Sequence, residues 1–315
     1  MKVQLGYVAI SKSLEGITSS SSMNYTNYLK KDDKDQKLYD VILSNLIDLE
    51  KIISYNIKNH IHFFRITSAL VPLATHQEVN FDYITPFLSY YEAIGAKIKE
   101  AKMRTDFHPG EYTILNSTRK EVIENTVEIL KYHFTLLKAF QIETPLLVLH
   151  VGSNAFGKVA SLGRFKKQFQ LLPTEIQKVI ALENDDKVFT VEDLLPVAES
   201  LQIPLILDFH HHLCNGTEQP IETYLPRILK TWGNKTPKMH FSSPKNKTKK
   251  EMRSHHDYID SDAFLSFLEI IRPYFKEVDV MIEAKMKDEA LFRLMRVLKY
   301  KADFTFLDET SFETH

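Results

Sequence analysis

Ile203-Pro204-Leu205-Ile206-Leu207-Asp208-Phe209-His210-His211 is an apolar run that stops abruptly on an acid followed by histidines. A segment apolar at nearly every position suits a parallel strand buried on both faces. The same form recurs outward from this stretch. Candidate strands cover Val3–Ile10, Ile61–Ser68, Lys102–His108, Pro145–Gly152, Val179–Asp185, Pro237–Ser243 and Val278–Lys285. Helical stretches separate them. Leu38, Ile42, Leu46, Leu49 and Ile53 form one apolar stripe, and Ile123, Val127, Leu130, Phe134 and Leu137 form another. Thr118 and Glu121 have capping-box spacing at the start of the second. Further helices are predicted near residues 80–98, 160–178, 190–201, 220–231, 260–275 and 287–299. Eight βα units in 315 residues predict an α/β chain folded as a single (β/α)8 TIM barrel, one domain over residues 1–315. An open doubly wound sheet is the alternative that strand and helix counts do not exclude.

Composition narrows the function classes. The hydrophobic fraction of 43% and charged fraction of 26% exclude a disordered chain, a collagen-like fibre and a disulfide scaffold. Lys and Arg number 40 against 41 Asp and Glu, so nucleic acid binding would need a local basic patch. One such stretch is residues 244–256, with Lys245, Lys247, Lys249, Lys250 and Arg253; a solvated loop is its plainer explanation. Residues 11–37 read as a second, serine-rich loop. The single cysteine, Cys214, fits a reducing compartment. With no long apolar stretch and no apolar leader, a cytoplasmic protein is expected. Glycine is scarce, and neither GxGxxG nor a Walker A loop occurs.

The chemistry lies at the strand ends. In order they carry His108, His150, Glu183, Asp208 with His210 and His211, His240, and Glu283. A barrel gathers such ends at its C-terminal mouth, where active sites sit. Singly, each residue has a duller explanation: a structural histidine, an acid capping a helix, a carboxylate paired with lysine. Together, Glu183, Asp208 and Glu283 are costly to bury without cations, and few strand-end Lys or Arg residues offer them. A mixed His/Asp/Glu set without thiolate fits Mn or Zn. A single catalytic metal needs only three or four protein ligands, so this many donors point to a metal cluster at the mouth. Multinuclear sites favour phosphoryl chemistry, with one ion activating water and another stabilising the leaving oxygen. A metal-dependent sugar isomerase or epimerase on a similar barrel is the alternative. A DNA-binding sensor with structural metals is a third reading.

Several segments resemble the UV damage endonuclease family: His108-Pro109-Gly110-Glu111-Tyr112, Leu182-Glu183-Asn184-Asp185, Asp208-Phe209-His210-His211-His212, Lys238-Met239-His240-Phe241-Ser242-Ser243, His255-His256-Asp257-Tyr258-Ile259 and Asp279-Val280-Met281-Ile282-Glu283-Ala284-Lys285. Leu5-Gly6-Tyr7 and Phe64-Arg65-Ile66 match its first two strands. The resemblance implies a barrel like that of endonuclease IV, a trinuclear cluster with Mn2+ favoured over Zn2+, and incision of double-stranded DNA immediately 5′ to UV photoproducts, leaving a 3′-hydroxyl. Cyclobutane dimers, (6-4) photoproducts and abasic sites are the implied substrates, and a monomer is expected. Carried over by position, the implied metal ligands are His76, His108, His150, Glu183, Asp208, His211, His240, His255 and Glu283, with Glu183 bridging. The implied catalytic residues are Glu183 and Lys238, the latter matching a lysine carboxylated beside the cluster. Tyr7 would line the damage pocket, Glu111 and Tyr112 would probe the helix, and Lys245 and Lys247 would hold the backbone. The chain departs from the family in reading Glu-Tyr for Gln-Tyr and in lacking an asparagine after Tyr7, where Ser11 is the nearest polar residue. His256 replaces a usual serine, which leaves His255 and His256 as rival ligands.

Overall fold

A computed structural model describes residues 1–30, 32–110, 112–246, 248 and 251–315. Glu111, Lys247, Lys249 and Lys250, singled out above, lie outside the described residues. Eight parallel strands follow one another around the sheet: β1 (Lys2–Val8), β2 (Phe63–Arg65), β3 (Arg104–Asp106), β4 (Leu147–Leu149), β5 (Ile180–Glu183), β6 (Leu205–Asp208), β7 (Lys238–Phe241) and β8 (Glu277–Ile282). A bridge between Phe107 and Leu147 joins β3 to β4 and closes the ring. The crossovers carry helices Lys34–Lys58, Leu88–Glu100, Lys120–Ala139, Lys158–Leu171, Val191–Leu201, Leu225–Thr231, Ser261–Ile271 and Lys287–Lys301. The chain is therefore the expected (β/α)8 barrel. None of its described helices is long and apolar enough to cross a membrane.

The two-residue period of the strands sorts their side chains into two apolar sets. Leu147, Leu149, Ile180, Leu182, Leu205, Leu207 and Met239 join the large core shared with the helices. Leu146, Val148, Ala181 and Ile206 form a separate cluster with Trp232. These have the parity of His150, Glu183 and Asp208, so the polar residues sit one step further along the strands on the inward face. Arg104 lies between the rings of Phe63 and Trp232 (5.6 and 5.4 Å) and donates to Asp279 at 2.6 Å. Gly6 permits the close approach of β1 and β2, since a Cβ there would stand 2.3 Å from the Phe63 carbonyl oxygen.

Several local expectations change. The strands are shorter than predicted. Asp208 ends β6 and caps a short helix, Phe209–Cys214, so the histidines after it are helical. The Thr118–Glu121 capping box does not form: helix Lys120–Ala139 starts from Arg119 with no side-chain cap, and Glu121 pairs with Arg119 at 2.8 Å. The helix predicted over 160–178 divides at Pro173, which has no N–H to continue it. Residues 11–37 include helix Tyr25–Leu29 and the beginning of helix Lys34–Lys58.

The C-terminal segment holds an unforeseen hairpin, β9 (Phe304–Phe306) and β10 (Ser311–Thr314). β2 pairs only with Gly6–Val8 of β1, and β10 covers Lys2–Gln4 on the remaining edge. An uncovered strand edge invites pairing with other chains. Side chains tie the hairpin to the barrel: His62 contacts Asp308 at 2.8 Å, and His60 contacts Glu309. Burial raises the Asp308 pKa, but the His62 contact and the Thr310 N–H outweigh it and hold it at about 2. A depressed carboxylate contributes stability above its unfolded pKa and loses it as pH falls through the folded value. The stability gap between the native chain and Asp308→Asn should therefore shrink by about 1–2 kcal/mol between pH 4 and 2, measured by urea denaturation. A gap independent of pH over this range would remove Asp308 from the tether.

Candidate metal centre

Glu183, at the end of β5 and 1% exposed, is the hub of the mouth. One of its oxygens, Oε2, faces His108 Nε2 at 2.9 Å and His150 Nε2 at 3.6 Å. Oε1 accepts from His240 Nδ1 at 2.7 Å and lies 3.6 Å from His211 Nδ1. Asp208 and Asn184 exchange side-chain-to-backbone hydrogen bonds of 2.9 Å in both directions, which locks the ends of β5 and β6 together. Asp208 Oδ1 accepts the His211 N–H at 2.7 Å, while buried Oδ2 has no hydrogen-bond partner among the described residues. A buried carboxylate oxygen without a donor calls for an explanation such as an ion.

Three overlapping donor groups result: His108, His150 and Glu183; Glu183, Asp208 and His211; Asp208, His240 and Glu283. Within each group the ligand atoms lie within 4.8 Å of one another. The imidazoles are already oriented. His108, His150 and His211 direct Nδ1 at the backbone carbonyls of Pro109, Glu183 and Asn184, at 3.0, 3.3 and 2.9 Å. A carbonyl only accepts, so Nδ1 carries the proton and Nε2 is left as the ligand atom. His210 engages Ser242 Oγ and the Met252 carbonyl and stands outside the three donor groups. His255 Nδ1 lies 4.0 Å from Glu283 Oε2, whereas His256 is exposed and accepts the Tyr258 N–H at 3.0 Å. Of the two rival histidines, His255 faces the cluster. His76 stands outside all three groups, its ring stacked on Tyr25 at 4.1 Å.

Most protonation states match what metals require; burial lowers His211, but Asp208 and Glu183 outweigh it and raise it to about 9, so it carries a proton that an ion would displace. Burial pushes Glu183 upward, but His240 and His150 opposite it, with the close contacts to His108 and His240, hold it well below the usual carboxylate range. Burial, with Lys238 and Arg65 nearby, lowers His240 to about 4, leaving it neutral at pH 7. Neutral imidazole and ionised carboxylate are the ligating forms. Asp208 is the strained member: burial and the charges of Glu183 and Glu283 raise it to about 7. The donor set fits hard or borderline divalent cations.

Arg65, at the end of β2, is a strand-end cation that the sequence reading overlooked. It donates to Glu283 at 2.6 Å, to His240 Nε2 at 2.7 Å and to Asp106 at 3.3 Å. Asp106 in turn pairs with fully buried Lys238. Four buried or largely buried acids (Asp106, Glu183, Asp208, Glu283) thus face two fixed cations (Arg65, Lys238), so the negative excess remains. Burial lowers Lys238 to about 8 despite Asp106. Of the DNA-contact candidates, Tyr112 is 79% exposed, and Lys245 pairs with Glu251 at 3.0 Å. Tyr7 is fully enclosed, its ring 5.0 Å from Phe64 and its hydroxyl donating to Asn56 Oδ1 at 2.7 Å. Ser11, near it in sequence, donates to Asp288 at 2.7 Å. Asn184 was legible only as a member of a motif and Asp106 only as part of a predicted strand; their roles as strand lock and cation partner come from the fold.

Residues 3–310 match the family model of UV-endonuclease UvdE. A UV DNA damage endonuclease of Bacillus cereus (strain B4264) is 39% identical over 300 residues, covering 94% of both chains. The crystal structure of SacUVDE superposes with a TM-score of 0.86 at 33% identity, over 95% of this chain and 99% of that one. Endonuclease IV from Thermus thermophilus shares the fold, with a TM-score of 0.55 at 15% identity, over 81% of this chain and 95% of that one. Family-wide sequence agreement and a superposition that holds around the whole barrel lead to one conclusion: the chain belongs to the UV-endonuclease UvdE family.

Proposed function

We propose that this chain, as one barrel domain over residues 1–315, hydrolyses a phosphodiester of double-stranded DNA immediately 5′ to UV photoproducts, leaving a 3′-hydroxyl and opening excision repair in the cytoplasm. The convergence of three donor groups that share Glu183 and Asp208 carries this reading. His108, His150, Glu183, Asp208, His211, His240 and Glu283 would hold divalent ions, Mn2+ favoured and three per monomer, with His255 and His76 as further ligands. Such ions lower the pKa of water and stabilise charge on the phosphate and the leaving oxygen. The chain's own residues prepare that chemistry. Arg65 orients Glu283 and His240, and backbone carbonyls orient His108, His150 and His211. Lys238, held near the charge transition at about 8, is in part the neutral amine, the form that can be carboxylated. Damaged bases pair and stack poorly, so extruding them costs less than the few kcal/mol of a normal base. Tyr112, with Glu111, would fill the vacated stack, Tyr7 would support the damage pocket, and Lys245 and Lys247 would steady the backbone. No observation favours the sugar isomerase reading, which needs fewer ligands.

A nicking assay on a duplex carrying one defined photoproduct tests this. The expected outcome is a cut immediately 5′ to the lesion, dependent on added manganese, absent with EDTA and absent on undamaged duplex. No cut by pure, metal-loaded protein would overturn the reading.

A further inference from the structure

The loop after β4 holds a large aromatic side chain out in solvent. Phe156 is 85% exposed and has a left-handed backbone, φ 64°. An exposed phenylalanine forgoes the free energy of burial, and a bulky residue with positive φ is an outlier that its surroundings must enforce. Those surroundings are explicit. Arg164 donates to the Ala155 carbonyl at 2.6 Å and to the Asn116 carbonyl at 2.9 Å. Ser161 Oγ donates to the same Ala155 oxygen at 3.1 Å. Asn116, fully buried, donates to the Ser153 carbonyl at 2.6 Å and accepts the Ser153 N–H at 2.8 Å. Gly157, with φ 85°, turns the chain into helix Lys158–Leu171. The Arg164 guanidinium stands 5.9 Å from the Phe156 ring centroid.

We propose that Phe156 is a second aromatic DNA contact at the barrel mouth, stacking on or wedging against a nucleobase of the bound duplex. This rests on the endonuclease reading above. Phe156 follows candidate ligand His150 by six residues on one rim loop. Asn116 staples that loop to the one bearing exposed Tyr112, so the two aromatics are presented from connected supports. A fixed, solvated aromatic beside a cation is what base stacking uses, and it is tolerant of base identity because every base has a π-face.

The test uses full-length protein carrying Glu183→Gln for binding, and native protein for incision. Phe156→Ala should weaken affinity for a duplex with one photoproduct by about 5- to 100-fold, with an unchanged melting temperature. Phe156→Trp should bind as the native chain does, with its emission quenched by DNA; native Trp232, 2% exposed, is shielded from such contact. Unchanged affinity in Phe156→Ala overturns the proposal and leaves the endonuclease reading intact. A melting temperature that falls along with affinity assigns Phe156 to loop structure and also overturns it. Failure of the native chain to bind or cut damaged duplex sinks both.

Discussion

Glu183→Gln is expected to slow incision of photoproduct-containing duplex on the order of 10³-fold or more while leaving binding of the same duplex within a few-fold of native. Glu183 belongs to two of the three donor groups, and its two oxygens face four imidazoles. Glutamine keeps the shape but removes the charge and turns one acceptor into a donor. That amide would oppose the Nδ1–H of His240 or donate to the bare Nε2 of His108, and in neither case does it supply the charge that holds a cation. The fold should survive, because the substitution also removes a carboxylate that repels Asp208. Rates under single turnover, with affinity by anisotropy, make the comparison. Equal rates in native and variant chains would exclude Glu183 from the chemistry. Loss of binding in parallel with rate would assign it to the DNA interface instead.

Metal removal should have the second largest effect, and it can be read without activity. At a free-ion concentration of about 100 times Kd, one site stabilises the folded chain by about 2.7 kcal/mol, so manganese should raise the melting temperature of the EDTA-stripped protein by roughly 5 °C or more. The Asp208 contribution to the stability of the metal-free chain should also depend on pH in a defined direction. Asp208 is raised to about 7 by burial and by its carboxylate neighbours, while the unfolded chain releases this proton near pH 4. A raised carboxylate contributes stability that is full below the unfolded pKa and lost as pH rises through the folded one. His240, lowered to about 4, contributes in the opposite direction over the same range, so the Asp208 share is read against Asp208→Asn: the stability of the stripped native chain relative to that variant should fall between pH 4 and 7, and bound manganese, by holding Asp208 ionised, should flatten that slope. Melting curves over this range, with metal content per chain measured in parallel, decide the matter. Identical slopes with and without manganese would place the ions elsewhere, and one ion per chain would refute the trinuclear proposal.

The order of the barrel was legible because buried parallel strands need apolar residues on both faces. Runs such as Leu147-Val148-Leu149 and Leu205-Ile206-Leu207 meet that demand locally, and their polar ends mark the mouth. The candidate donors at those ends were equally visible, since several acids and histidines at buried strand ends are costly to gather without cations. Sequence spacing did not reveal the partnerships between distant strands. Arg65 acts on Glu283 across 218 positions, and Lys238 on Asp106 across 132, so only barrel closure brings these charges together. The choice between His255 and His256 was likewise undecidable from two adjacent identical residues; the path of their loop turns one inward and the other to solvent. The C-terminal hairpin escaped notice for a similar reason. Its role depends on a three-residue β2 that leaves half of one β1 edge open. Local composition sets which side chains a buried strand carries and where it ends. Tertiary structure decided which charges face each other, because that depends on strand register and closure rather than on any local preference.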